Sequence, residues 1–162
     1  MFGFRGGLFP SAARVAVGDL SDGEVSGAQQ GMDLYATSKL CNILFMREMA
    51  GRTRTRFVGF DPGLMAGTGL ARERKGVEAF GWKYILPALQ PLISLFGVRM
   101  SRPKKSAATL TKLLLGRAGD IPGGAYKDFA LREAEISADA QDKEKAADLY
   151  QVSCRLSGIS AI

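Results

Sequence analysis

The sequence predicts an α/β chain built around a parallel sheet. Short runs of small, β-branched and aromatic residues alternate with longer stretches of helical periodicity. Gly, Pro and Asp turn signals bound these runs, so the order reads strand, helix, strand, helix, strand, helix.

Taken in order, residues 13–17 (ARVAV) read as the first strand, closed by Gly18-Asp19 and a polar Gly/Ser/Gln stretch to Gly31. Residues 33–52 read as a helix. Leu40, Ile43 and Leu44 recur at steps of three and four, Phe45 and Met49 repeat the step of four, Asp33 is the expected N-cap, and Gly51 ends the run. Residues 56–60 (RFVGF) form the second strand, stopped by Asp61-Pro62-Gly63, since Pro62 cannot extend a ladder. Residues 64–100 are Gly-rich and then apolar, broken by Pro87 and Pro91, and read as short helices over a pocket. Residues 101–115 predict a helix capped by Ser101, with Pro103 in its first turn and Ala107, Leu110, Leu113 and Leu114 as its apolar face. Residues 124–129 (GAYKDF) read as a short third strand. Residues 137–156 read as a last helix, with Asp139, Asp142 and Glu144 near its N-terminus.

Composition narrows the function classes. The chain has 162 residues, 46% hydrophobic and 23% charged, enough for one domain with a core. The net charge is +6, but the basic residues are scattered and do not interleave with aromatics, so no nucleic-acid groove is expected. There is no histidine and there are two cysteines, Cys41 and Cys154, so no metal site is expected and a reducing cytoplasm is the default. No signal peptide is expected, because the apolar run of residues 1–17 is broken by Gly, Arg and Pro. Residues 80–100 are the one membrane candidate, but they carry Lys83, Gln90, Arg99 and two prolines, so no transmembrane segment is expected.

Two constellations carry chemistry. In Tyr35-Ala36-Thr37-Ser38-Lys39 the phenol and ammonium are four apart, on one helix face. A free tyrosine holds its proton too tightly for neutral exchange, and a neighbouring ammonium favours the phenolate. Such a tyrosine can protonate a carbonyl oxygen or take a proton from an alcohol. By spacing alone, an ordinary amphipathic helix with an incidental pair is the commoner source. The second constellation, Asp61-Pro62-Gly63 with Thr68 beyond it, follows a strand, where ligands of open α/β sheets bind. A plain loop-forming turn accounts for it at least as well.

Together these segments resemble the short-chain dehydrogenase/reductase superfamily. YATSKLCNILF, then VGFDPGLMAGTGLAR, then the tail GGAYKDFALREAEISADAQDKEKAADLYQVSCRLSG stand in family order, and are most similar to the protochlorophyllide reductase and retinol dehydrogenase-like branch. The resemblance implies one partial Rossmann-like domain over residues 1–162: about three strands of a doubly wound parallel sheet with flanking helices. Residues 1–12 would be a poorly defined leading segment and residues 64–100 the substrate loop. Tyr35 would be the catalytic acid/base, and Lys39 would tune it and hold the nicotinamide ribose. Pro62, Gly63 and Thr68 would line the nicotinamide end. The cofactor would be NADP(H) or NAD(H), NADP(H) slightly favoured, and the substrate an apolar carbonyl or alcohol.

Three departures accompany the resemblance. The family's opening strand and Gly-x-x-x-Gly-x-Gly loop have no counterpart, since Gly3, Gly6 and Gly7 lie only a few residues before ARVAV. The expectation is therefore a C-terminal half without its glycine-rich half. The family's catalytic serine would fall to Ser21, with Asp19 an equal occupant of that position. The first threonine after Pro-Gly is replaced by Gly67, leaving Thr68. Two readings follow: a truncated oxidoreductase, or a catalytically silent remnant of one. Either way the ARVAV strand would be an exposed sheet edge, inviting self-association.

Overall fold

The computed structural model describes residues 6–21, 23, 26–65 and 101–161. Its elements are α1 (Ala12–Ala16), α2 (Gly27–Arg52), β1 (Gly59–Asp61), α3 (Pro103–Leu114), β2 (Tyr126–Asp128), α4 (Ala138–Gln141) and α5 (Lys143–Ser157). The α/β class holds. β1 and β2 pair in parallel as a two-stranded sheet, the only sheet among the described residues.

The expected first strand is not a strand. Residues 12–16 form α1, with Ser11 as N-cap accepting from the Arg14 N–H. A short apolar run does not reveal its period, and here three alanines favour the helix. As a helix the segment satisfies its own backbone and needs no partner strand. The sheet edge on which self-association was expected is therefore not formed by residues 13–17.

By its internal contacts the chain divides into two compact units. The first comprises Met1–Gly59, Pro122–Tyr126 and Glu135–Ile162; the second comprises Phe60–Ile121 and Lys127–Ala134. In the first unit α2 presents Asp33, Thr37, Leu40 and Leu44 to the interior, a buried stripe at helical spacing. Leu40 and Leu44 join Phe9, Ala12, Ala140 and Ala146 in the core. Helix α2 starts earlier than expected, with Ser26 as N-cap accepting from the Gln29 N–H. Asp33 is thus an interior residue, held by the Gln29 amide at 2.7 Å. The leading segment lies along this helix: Thr37 Oγ1 accepts from the Leu8 N–H at 2.9 Å and donates to the Leu8 carbonyl at 3.0 Å. Gly7 permits that approach, since a Cβ there would sit 2.7 Å from the Leu40 Cβ. The single C-terminal helix is in fact two, because Asp142 leaves the helix to cap α5, accepting from the Glu144 and Lys145 N–H groups.

In the second unit, Pro103 opens α3 as expected, but Arg102 is the N-cap and makes no side-chain cap bond. The anticipated apolar face is not the buried one. Ser106 is buried while Leu110 and Leu114 are exposed. Hydrogen bonds set the helix rotation instead: Ser106 Oγ donates to the Pro62 carbonyl at 2.7 Å and Thr109 Oγ1 to the Phe129 carbonyl at 2.9 Å.

Candidate functional site

Helix geometry explains how α2 displays the Tyr–Lys pair. Tyr35 and Lys39 stand two residues beyond the buried Asp33 and Thr37, about 200° around the axis, on the opposite face. Tyr35 is 52% exposed and Lys39 is exposed. The Lys39 Nζ lies 5.3 Å from the centroid of the Tyr35 ring, so the structure brings these two side chains together. Ser38 Oγ turns back to the Tyr35 carbonyl at 2.7 Å. Thr37, between the pair in sequence, was missed by sequence reasoning. It anchors this stretch from behind through Leu8, and its signal is a polar residue on the apolar stripe.

The two occupants weighed for the serine position differ sharply. The Asp19 carboxylate accepts from the Arg14 guanidinium at 2.8 and 3.0 Å. That side-chain hydrogen bond holds the carboxyl below its ordinary range. Ser21 Oγ donates to the Gly23 carbonyl at 2.9 Å. Both lie in the connection between α1 and α2.

Pro62 and Gly63 belong to the second unit, directly after β1. Gly63 has φ +72°, the left-handed region that glycine enters without strain. Pro62 has no N–H, and the Gly63 N–H is donated to Asp61 Oδ1 at 2.8 Å. The Pro62 carbonyl accepts from Ser106, whose hydroxyl also bonds that of buried Ser101 at 2.8 Å. The polar groups of the turn are thus engaged internally. Ser106, missed from the sequence, and Ser101, read there only as a helix cap, are what fix it. Thr68 and nearly all of the substrate-loop region, residues 66–100, lie outside the described residues.

Cys41 and Cys154 are both free thiols, and burial pushes the Cys41 thiol up from its ordinary value. Among the described residues no helix is long and apolar enough to cross a membrane.

Comparison with known proteins gives the class first: the chain is homologous to part of the short-chain dehydrogenases/reductases. The particular relatives are protochlorophyllide reductases. A chloroplastic protochlorophyllide reductase of Daucus carota is 32% identical over 146 residues, 86% of this chain and 35% of the relative. Chloroplastic protochlorophyllide reductase A of Hordeum vulgare is 29% identical over 98% of this chain and 39% of its own length. The protochlorophyllide reductase of Avena sativa is 30% identical over 98% of this chain and 49% of its own length. The chain thus spans between a third and a half of the length of these relatives. No family model matches the chain, and no solved structure matches it.

Proposed function

We propose that this chain carries the tyrosine–lysine portion of a nicotinamide-dependent oxidoreductase acting on an apolar substrate. One observation carries the reading: in a chain related to protochlorophyllide reductases, Tyr35 and Lys39 are stacked on an exposed helix face. That face fits a nicotinamide riboside. Lys39 offers three donors to ribose hydroxyls, and Tyr35 Oη holds a proton beside them. The chemistry supplied by the bound dinucleotide is the hydride. Tyr35 delivers the proton to the substrate oxygen. NADP(H) is the favoured cofactor. An apolar carbonyl or alcohol is the substrate class, and protochlorophyllide, named by the relatives, is the first compound to test.

A second reading, a catalytically silent relative, has its own observation. The one N–H of the Pro62–Gly63 pair is already given to Asp61, so this pair has no backbone donor left for a nicotinamide carboxamide. One experiment separates the two. NADPH is titrated into the 162-residue chain supplemented with a glycine-rich N-terminal half, fused or separate, and its consumption is followed with protochlorophyllide present. The first reading expects turnover that Tyr35→Phe abolishes with cofactor binding intact, and binding that Lys39→Ala weakens about tenfold. Turnover surviving in Tyr35→Phe overturns it. NADPH binding without any turnover establishes the second.

A further inference from the structure

A cleft of about 370 Å³ lies in the first unit, away from the Tyr35 face, where the last turns of α2 meet the start of α5. That volume suits a small ligand. Its lining includes Arg47, Glu48, Gly51 and Arg52 from α2, with Asp142 and Lys143 facing them. Three cations and two carboxylates thus share one concavity, and their internal pairing is uneven. Glu48 is bound to Arg52 at 2.7 Å, and the same guanidinium lies 4.2 Å from the centroid of the Tyr150 ring. Asp142 Oδ1 accepts from the Glu144 and Lys145 N–H groups at 2.9 and 3.1 Å. Glu48 and Arg52 therefore compensate each other, while Asp142 is held in place by amides and keeps its charge. Among the described residues Arg47 and Lys143 make no ion pair. Asp142 also occupies amides at the head of α5, so two side chains, and not the helix terminus, are what a ligand meets.

We propose that this cleft binds a small phosphate-bearing anion held between Arg47 and Lys143. Arg47, Arg52 and Lys143 against Glu48 and Asp142 leave the cleft a formal +1, so charge favours an anion, and the preference for phosphate over carboxylate rests on donor geometry. The guanidinium takes two oxygens in a planar fork, and the ammonium takes a third as a point charge. The volume exceeds that of a phosphate group, leaving room for the organic part of a monoester. Gly51 keeps the wall bare: a Cβ there would meet nothing within 4 Å. The site is independent of the Tyr35 reading, and its test needs no turnover.

The test titrates the full chain with inorganic phosphate and with glycerol phosphate at constant ionic strength, following amide and Arg side-chain signals by NMR. The expected result is saturable shifts confined to the cleft, with acetate at least about tenfold weaker. Arg47→Gln and Lys143→Gln should each weaken binding about tenfold. Gly51→Leu should remove it by filling the cleft, with helical content by circular dichroism unchanged. Where Gly51→Leu does lose helix, the two charge variants decide, since neither side chain makes an ion pair within the described fold. Tighter binding of the monoester assigns the spare volume to an organic group; equal binding assigns the cleft to free phosphate. Absence of saturable shifts, charge variants that bind like the parent, or acetate binding as well as phosphate each overturns the proposal.

Discussion

Helix α2 and the Pro62–Gly63 turn both carry residues that the sequence singled out, and they hold their polar groups in opposite ways. On α2 the anchoring is done from behind. Thr37 and Asp33 bond inward, and Tyr35 and Lys39 are displayed outward. In the turn, the Gly63 N–H is given to the Asp61 carboxylate, and the Pro62 carbonyl accepts from Ser106, itself bonded to Ser101. The helix offers chemistry on a rigid backing; the turn uses its polar groups to keep its own shape. A polar residue at a strand end is thus no guide to ligand contact until its internal bonds are known.

The contrast can be attacked first where the internal network is densest. Asp128 is fully buried and accepts from the Ala130 and Arg132 N–H groups and the Arg132 guanidinium. Asp128→Ala should cost about 3 kcal/mol of stability in urea unfolding, because it removes three hydrogen bonds to a charged acceptor. Burial pushes this carboxyl up, but the Ala130 and Arg132 donations outweigh it and hold it below the ordinary range. Its contribution is therefore complete above the unfolded carboxylate's titration and is lost as pH falls through the lowered folded value. Repeating the unfolding series at falling pH should show the parent losing its advantage over Asp128→Ala in that window.

Thr37→Val tests the backing of the helix. It removes both bonds to Leu8 while keeping the shape, and should cost about 2 kcal/mol. Hydrogen exchange should quicken at the Leu8 amide, and an unchanged Leu8 would mean that packing alone holds the segment. In the turn, Gly63→Ala places a side chain at φ +72° and should cost about 1 kcal/mol by thermal unfolding. The smallest effect belongs to the displayed face. Lys39→Met should change stability by only about 0.5 kcal/mol, since an exposed ammonium over a ring contributes little. A loss several times larger would show Lys39 to be structural and would dissolve the contrast.

How much of this was legible in the sequence depends on how local the deciding interaction is. Pro103 marks the start of α3, and the Tyr35–Lys39 spacing marks a shared face; both are settled within one or two turns of chain. Ser26 with Gln29 is a capping pattern that announces α2, but Gly27 and Gly31 spoke against a helix there. The helix–helix break at Asp142 was likewise available as an Asp cap inside a continuous apolar pattern. Residues 12–16 were misread because a run this short shows no period, and its valine weighed toward a strand against its alanines. What seats α1 is the Ala12 N–H bonding Asp148 Oδ2, 136 positions away. The rotation of α3 was hidden for the same reason: Ser106 answers a carbonyl 44 residues upstream, and its leucines suggested a different face.

The Ala12–Asp148 bond has a consequence for synthesis. The first unit is assembled from three separate stretches, and this bond sews its first helix to its last. On the ribosome α1 and α2 emerge long before α5, so Leu40, Leu44 and Ala12 wait without the surface formed by Ala140 and Ala146. Contacts so distant in sequence close slowly, and uncovered apolar stripes are what chaperones bind in the interval. The unit is thus completed by its final fifteen-residue helix, Lys143–Ser157. A nascent chain arrested before Lys143 should be held in a chaperone-bound, protease-sensitive state, and release of α5 should end it.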